Sequence, residues 1–289
     1  MRLLPATSVL AALLVCGSRA AAERADVCLS VGWMAPRIDE AYPHTYVPRV
    51  AFDDTSGGMA GHTLAIGGAS GVRFAGTVGM RVSERLGLQG LVTFGAHDLD
   101  GPSGPHAVRL EYTTRQPPDY LPRRLLIESR EAWPAARGRL RQVVLGANLV
   151  VRARTSDAWT LDLSGGPTLH RVHGTLEGLA FTGFHLGGHG VLFSNTYRLG
   201  TDLPSTWVAG LDAGATVAVR LSPRVRLVID GRWFRAGTAT LQPTVARVLN
   251  EDEVLISLTP AEIAAQITLA PLDVRPSFAG VSVGMRVVF

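Results

Sequence analysis

An all-β fold, an eight-stranded antiparallel up-and-down barrel that crosses a membrane, is what this sequence predicts, and three observations predict it. Apolar and polar residues alternate with period two in eight separate stretches, as in strands whose two faces meet different surroundings. The connections alternate between tight turns and segments of about 30 or more residues, the asymmetry of barrels with short turns on one side of a bilayer and long connections on the other. No charged residue falls on any of the eight apolar rows, in keeping with the roughly 2–4 kcal/mol that an arginine costs at a bilayer midplane.

The N-terminal stretch stands apart from this pattern. Arg2 supplies a positive charge, Leu3 to Val15 an apolar run, and Ser18-Arg19-Ala20 or Ala20-Ala21-Ala22 a small-residue cleavage site. Residues 1–22 therefore read as a cleaved secretory signal, leaving 23–289 as one barrel domain. Cys16 raises lipidation as an alternative, but Val15 before it is larger than the small residue such processing requires. Cleavage leaves Cys28 as the one cysteine, which can form neither an internal disulfide nor a cysteine-rich metal site.

The first strand is Asp26 to Trp33, with Val27, Leu29, Val31 and Trp33 on its apolar row. After a polar segment from about Ala35 to Ser70, the second places Val72, Phe74, Val78, Met80 and Val82 opposite Arg73, Ala75, Thr77 and Arg81. Ser83-Glu84-Arg85 turns the chain into the third, Leu86 to Phe94, and this odd-length turn sets Val82 across from Leu86 and Phe74 across from Phe94. A second long segment, from about Ala96 to Arg139, precedes the fourth strand, Leu140 to Ala153. Arg154 to Ala158 turn into the fifth, in which Trp159, Leu161, Leu163 and Leu169 oppose Thr160, Asp162, Ser164, Thr168 and His170. A third long segment spans about His173 to Ser205.

The sixth and seventh strands, Trp207 to Leu221 and Val225 to Trp233, form a hairpin around Ser222-Pro223-Arg224 that puts small Ala213 beside large Trp233. In the fourth long segment, about Arg235 to Arg275, Thr259-Pro260-Ala261-Glu262 has the form of a helix capping box with proline at the first turn, predicting a short helix near Glu262 to Gln266. The closing strand, Pro276 to Phe289, sets Ala279, Val281, Val283, Met285, Val287 and Phe289 on one face and Gly280, Ser282, Gly284 and Arg286 on the other. A strand that ends flush at a C-terminal aromatic resembles the last strand of bacterial outer-membrane β-barrels. The alternation over the mature chain resembles the small eight-stranded members of that family. The resemblance implies export to the outer membrane of a Gram-negative-type cell, contact with outer-membrane lipid, and an assembly signal at Met285, Val287 and Phe289 read by the outer-membrane assembly machinery. It implies no cofactor and no metal.

Composition agrees and excludes other classes. Charged residues are 18% of the 289, glycines number 32, and all 28 basic residues are arginine, scattered along the chain. A mean hydropathy of +0.19 comes with no run beyond the N-terminus near the roughly 18–20 apolar residues of a spanning helix. Scattered arginines make no nucleic-acid footprint, so no nucleic-acid partner is expected. A soluble barrel or sandwich would also alternate, with its apolar row inward. Against it stand the uncharged apolar rows and the placement of Trp33, Phe94, Trp159, Trp207 and Trp233 near strand ends, as in an aromatic girdle.

An eight-stranded barrel has an interior that side chains just fill. The rows facing it carry Arg73, Arg81, Arg152, Arg220, Arg226, Arg232 and Arg286 with Asp26, Asp162, Asp212 and Asp230, and charges so confined must be paired or hydrogen-bonded. The expected result is an Arg/Asp network that plugs the lumen, with recognition of an extracellular or periplasmic partner left to the long segments. The alternatives are a narrow path that prefers anions and a hydrolase with a rim site built on His170 with His173, His185, His189, Ser194 or Asp98. His185 and His189 stand four apart, but Gly187-Gly188 between them argues against a helical metal pair. Ala107 to Tyr112 and Leu125 to Glu128 have strand character and would raise the strand count to ten or twelve if they joined the barrel.

Overall fold

The computed structural model describes residues 25–48, 50–51, 55–102, 104–115, 122–186, 192–250 and 258–289, and the expected signal segment 1–22 lies outside them. Eight strands form a closed ring: β1 (Ala25–Pro36), β2 (Gly71–Arg81), β3 (Leu86–Gly101), β4 (Ala136–Thr155), β5 (Trp159–Leu186), β6 (Leu192–Arg220), β7 (Val225–Ala236) and β8 (Phe278–Val288). Each pairs antiparallel with the next, and β8 returns to β1 over Asp26↔Val288 to Pro36↔Phe278. Phe74 faces Phe94 and Ala213 faces Trp233, as the hairpin lengths predict.

The three tight turns share one device. The backbone N–H groups of Leu86, Trp159 and Val225 donate to the hydroxyls of Ser83, Ser156 and Ser222, each at 3.1 Å. A serine at the start of each turn thus satisfies a donor that the strand ladder leaves over. That repetition ties each strand start to the turn before it and sets the register of its hairpin.

The apolar rows point outward. Leu29 is 70% exposed and Trp33 69%, and Val31, Phe74, Val92, Phe94, Leu149, Ile229, Val283 and Met285 are exposed with them. Above the upper girdle this polarity reverses on both faces of the same strands. On β3 the outward row passes from Phe94 through Ala96 to Asp98 and Asp100, while the inward row passes from Gln89 and Thr93 to Leu99. On β4 the outward residues change from Leu145 and Val143 to Arg141, Arg139 and Arg137, and on β5 from Leu169 to Arg171. The apolar side chains beyond this level, Leu140, Val172 and Leu176, are buried.

The long segments are therefore not loops but the walls of a strand-built head, which corrects the sequence expectation. The strand Asp39–Tyr46 pairs with Thr55–Gly68, Thr55–Gly68 with His106–Arg115, and His106–Arg115 with Pro122–Glu131. β5 and β6 continue upward as one hairpin to Leu186↔Leu192, with Thr244–Asn250 added on β6. Inside lies the largest apolar core of the described residues, including Tyr42, Leu64, Ile66, Leu110, Phe181, Tyr197 and Leu199. The helix α1 (Pro260–Ala264) buries Ile263 there, and its capping box forms as expected: the Thr259 hydroxyl accepts from the Glu262 N–H at 3.3 Å and the Glu262 carboxylate accepts from the Thr259 N–H at 2.7 Å. Ala107 to Tyr112 and Leu125 to Glu128 are strand, but they lie outside the ring because β3 and β4 pair directly from Leu86↔Val151 to Gly101↔Ala136.

Close backbone approach occurs at several seams of the ring, the closing one among them. A Cβ on Gly284 would stand 2.2 Å from the Leu29 carbonyl oxygen and 2.5 Å from the Ser30 Cβ, and one on Gly32 2.0 Å from the Val281 carbonyl oxygen. Both contacts cross the β1–β8 junction, and the partners are mostly backbone that cannot swing aside. Gly284→Ala is expected to cost about 1–3 kcal/mol through overpacking, read as a lower urea midpoint for the folded form in micelles; an unchanged midpoint would show that the seam is loose.

Candidate functional site

The inward row assembles two charged layers, each electrically balanced. In the middle layer the Arg73 guanidinium donates to Asp230 at 2.9 Å and to the Ser282 hydroxyl at 3.3 Å. Asp230 also accepts from Thr216 at 2.8 Å, and Arg232 donates to it at 3.3 Å. Arg232 bonds Asp212 as well, and reaches Ser164 at 3.0 Å and Gln89 at 3.3 Å, while the Asn148 amide donates to Asp212 at 3.0 Å. In the lower layer Asp162 accepts from Arg152 and Arg286, both at 3.0 Å, and Arg286 pairs with Asp26 at 3.6 Å. Buried charges arranged this way keep their Coulomb partners, which offsets part of the loss of hydration, while Arg73 Nε and Nη1 and Asp212 Oδ1 have no hydrogen-bond partner among the described residues.

The arginine surplus is consequently not spread along the lumen. Arg81, Arg220 and Arg226, the three inward arginines that make no ion pair among the described residues, all sit at the short-turn end. Arg226 lies directly across from both Arg220 and Arg286, and Arg81 has Arg152 and Arg226 as its nearest cations. Below the lower layer a space of about 180 Å³ opens at the short turns beside Arg152, Arg220 and Arg226, whereas the spaces within the lower and middle layers are about 30 and 10 Å³, room for about two waters and one. Buried Cys28 lies beside the smaller one.

Above the middle layer an apolar cluster of Met34, Ala75, Leu91, Val144, Phe234 and Phe278 crosses the interior. Phe234 and Phe278 stack at 4.4 Å, and the Arg73 guanidinium lies 5.6 Å from the Phe234 ring centroid. His170 belongs to this level: fully buried, it shares a 2.9 Å hydrogen bond with the Thr168 hydroxyl and stands edge-on to Phe234. Among the described residues it meets none of its expected partners. Asp98 is outside, paired with Arg139 at 2.9 Å, and Ser194 faces Phe184, fourteen residues further up the hairpin, of the order of 45 Å at the rise of a strand. His173 lies on the outer row beside Arg171 and Arg141. His185 is in strand conformation, which removes the helical spacing argument, and His189 lies outside the described residues.

The aromatic residues take two levels. Trp33, Phe94, Trp207 and Trp233 are exposed at the upper edge of the apolar band, and Phe289 at the lower edge. Trp159 is half-buried at the lower edge, with the Arg154 guanidinium 5.4 Å from its ring centroid. Met285, Val287 and Phe289 face outward in one exposed row. Sequence reasoning missed the amides and hydroxyls of Gln89, Ser164, Thr216 and Ser282 as parts of the network, although Ser164 and Ser282 stand on rows set opposite the apolar ones. It also missed a row of histidines in the head: His44 pairs directly with His62, and the His62 and His106 rings lie 5.9 Å apart, all three buried against Tyr46 and Trp133. Their strands lay in segments read as loops, so no register was there to align them.

A closed barrel with a bare apolar band outside and balanced ion pairs within is a membrane-spanning β-barrel. No protein-family model matches the chain, and no curated protein matches it. Among solved structures it is similar to the outer membrane protein OprG from Pseudomonas aeruginosa, at 10% identity and a TM-score of 0.40 over 92% of this chain and 97% of that one. Neisserial surface protein A is 13% identical, with a TM-score of 0.35 over 92% and 97% of the two chains. The outer membrane protease OmpT from Escherichia coli is 8% identical, with a TM-score of 0.40 over 93% and 97%. The class assignment rests on the barrel's own geometry.

Proposed function

We propose that this chain is an integral β-barrel of a bacterial outer membrane with a lumen plugged by side chains, and that it acts structurally or by presenting its strand-built head to an extracellular partner. The observation that carries this reading is the burial pattern: the Leu29, Val31, Val283 and Met285 row is bare while Arg73 and Arg232 are enclosed. In water that arrangement would be inside out; in a bilayer each face meets its preferred surroundings. With an even number of strands, both termini and the tight turns stand on the periplasmic side and the head outside. The row Met285, Val287, Phe289 is then displayed to the assembly machinery, and residues 1–22 serve for export.

The expected result is a protein that fractionates with outer membranes and migrates differently on gels before and after heating. Val283→Arg, in the middle of the band, should cost about 2–4 kcal/mol of folding in lipid, whereas arginine at the exposed head position Ser129 should cost under about 0.5 kcal/mol. Equal effects of the two substitutions, or a soluble and heat-insensitive product, would sink the reading. The anion-path alternative needs open space that the two charged layers and the apolar cluster fill, so planar bilayers are expected to show no reproducible unitary conductance.

A further inference from the structure

The outer surface of the barrel carries one strongly basic crevice, and it lies at the edge of the apolar band. Arg37 follows β1, Arg275 precedes β8, and Arg235 is near the end of β7, so three adjacent strands bring three arginines together. The registers Pro36↔Phe278 and Phe234↔Phe278 place Arg37 and Arg235 on either side of Ser277, two residues from Arg275, and the Arg37 N–H donates to the Ser277 carbonyl at 2.9 Å. All three lie on outward rows, one or two steps above Trp33 and Trp233, are exposed, and make no ion pair among the described residues. With Leu211 and Trp233 they line a crevice of about 840 Å³ that no carboxylate borders. Elsewhere at this level Arg139 pairs with Asp98 and Arg171 donates to the Ser205 hydroxyl, and Arg141 stands beside His173 without an ion pair among the described residues.

We infer that this crevice is a binding site for the phosphate groups of a lipid headgroup in the outer leaflet. Guanidinium groups pair with phosphate oxygens in two-pronged hydrogen bonds that an ammonium cannot reproduce. A tryptophan beneath them supplies the amphipathic floor on which the headgroup and the first part of its chains rest. The crevice opens sideways toward the membrane and its apolar wall continues directly into the band, so a ligand anchored there keeps its acyl chains in the bilayer. Three uncompensated cations match a headgroup with two phosphates better than one with a single phosphate. The inference rests on the membrane reading for the identity of the leaflet, not for the chemistry of the site.

The test is native mass spectrometry of the folded protein in dodecyl maltoside, titrated with a bis-phosphorylated glucosamine lipid, its mono-phosphorylated form and phosphatidylcholine. The wild type is expected to retain one bis-phosphorylated lipid preferentially. Arg37→Gln/Arg235→Gln/Arg275→Gln should weaken retention about tenfold or more, the loss of a little over 1 kcal/mol, while Arg139→Gln on β4, across the ring from β8, leaves it unchanged. Should the triple variant fail the heat-shift test of folding, the three single variants are titrated instead, each with a smaller loss in the same direction. Equal retention of phosphatidylcholine, or wild-type retention by folded variants, overturns the site. Failure of the membrane reading would register separately, in the Val283→Arg comparison, which leaves all three arginines in place.

Discussion

Asp230→Ala is expected to lower the folding stability of the barrel by about 3–5 kcal/mol, the cost of leaving a buried charge without its partner. Among the described residues Asp230 is the sole carboxylate that pairs with Arg73, which is fully buried. Without it Arg73 keeps the longer contact to Ser282 and the face of Phe234, too little to replace its hydration. Arg232 suffers less, because Asp212 still holds it. The measurement is urea unfolding in micelles, followed by the gel shift and by tryptophan emission.

Two companions give the number its meaning. Arg139→Ala breaks an ion pair of similar length between two exposed residues and should change stability by less than about 1 kcal/mol. Arg73→Leu combined with Asp230→Leu removes both charges and should recover much of the loss. If Asp230→Ala lies within about 0.5 kcal/mol of wild type, the middle layer is wet and its charges are solvated, and the plugged lumen falls with it.

Why the sequence disclosed the barrel but not the head follows from the same physics. Within the bilayer, lipid outside and packed charges inside hold each strand to one polarity for about ten residues, so the alternation is regular and its start and stop are visible. At Asp98, Arg141 and Arg171 the outside becomes water, and at Leu99, Leu140 and Val172 the inside becomes a core. The period of two persists, but the rows exchange character, and a reading that follows one apolar row sees the strand end there. Strands β5 and β6 continue far past that point to Leu186↔Leu192. Local signals survived the exchange: the Thr259 to Glu262 capping box is read from four consecutive residues and needs no knowledge of which face is wet. The histidine row depends on registers between segments far apart in sequence, which composition does not reveal.

That row should make the head acid-sensitive while the barrel stays closed. Burial, and then the neighbouring His62 and His106, pull His44 from its ordinary 6.5 down to about 4; burial first and His62 second do the same to His106. Burial also lowers His97 to about 4, only partly opposed by Asp98, and lowers His62. Tyr46, raised to about 12 by burial, stays neutral throughout, and the His106 ring shares a 2.7 Å hydrogen bond with the Thr182 hydroxyl, so neither of these contacts supplies an anion to compensate a proton gained there. Between pH 6.5 and about 4 the unfolded head binds protons that the folded head refuses, so stability rises with pH across that window and is lost as pH falls through it. Each fully depressed histidine accounts for about 3 kcal/mol at most, and His44 and His106 together suffice to open a locally folded unit. Hydrogen exchange at pH 7 and pH 4.5 is expected to show Asp39–Tyr46, Thr55–Gly68 and His106–Arg115 losing protection while β1 and β8 keep theirs. His44→Phe, a ring of similar size without a titrating nitrogen, should shift the transition to lower pH. Unchanged protection of the head at pH 4.5 would mean that the row takes up protons without opening, with water already among the rings.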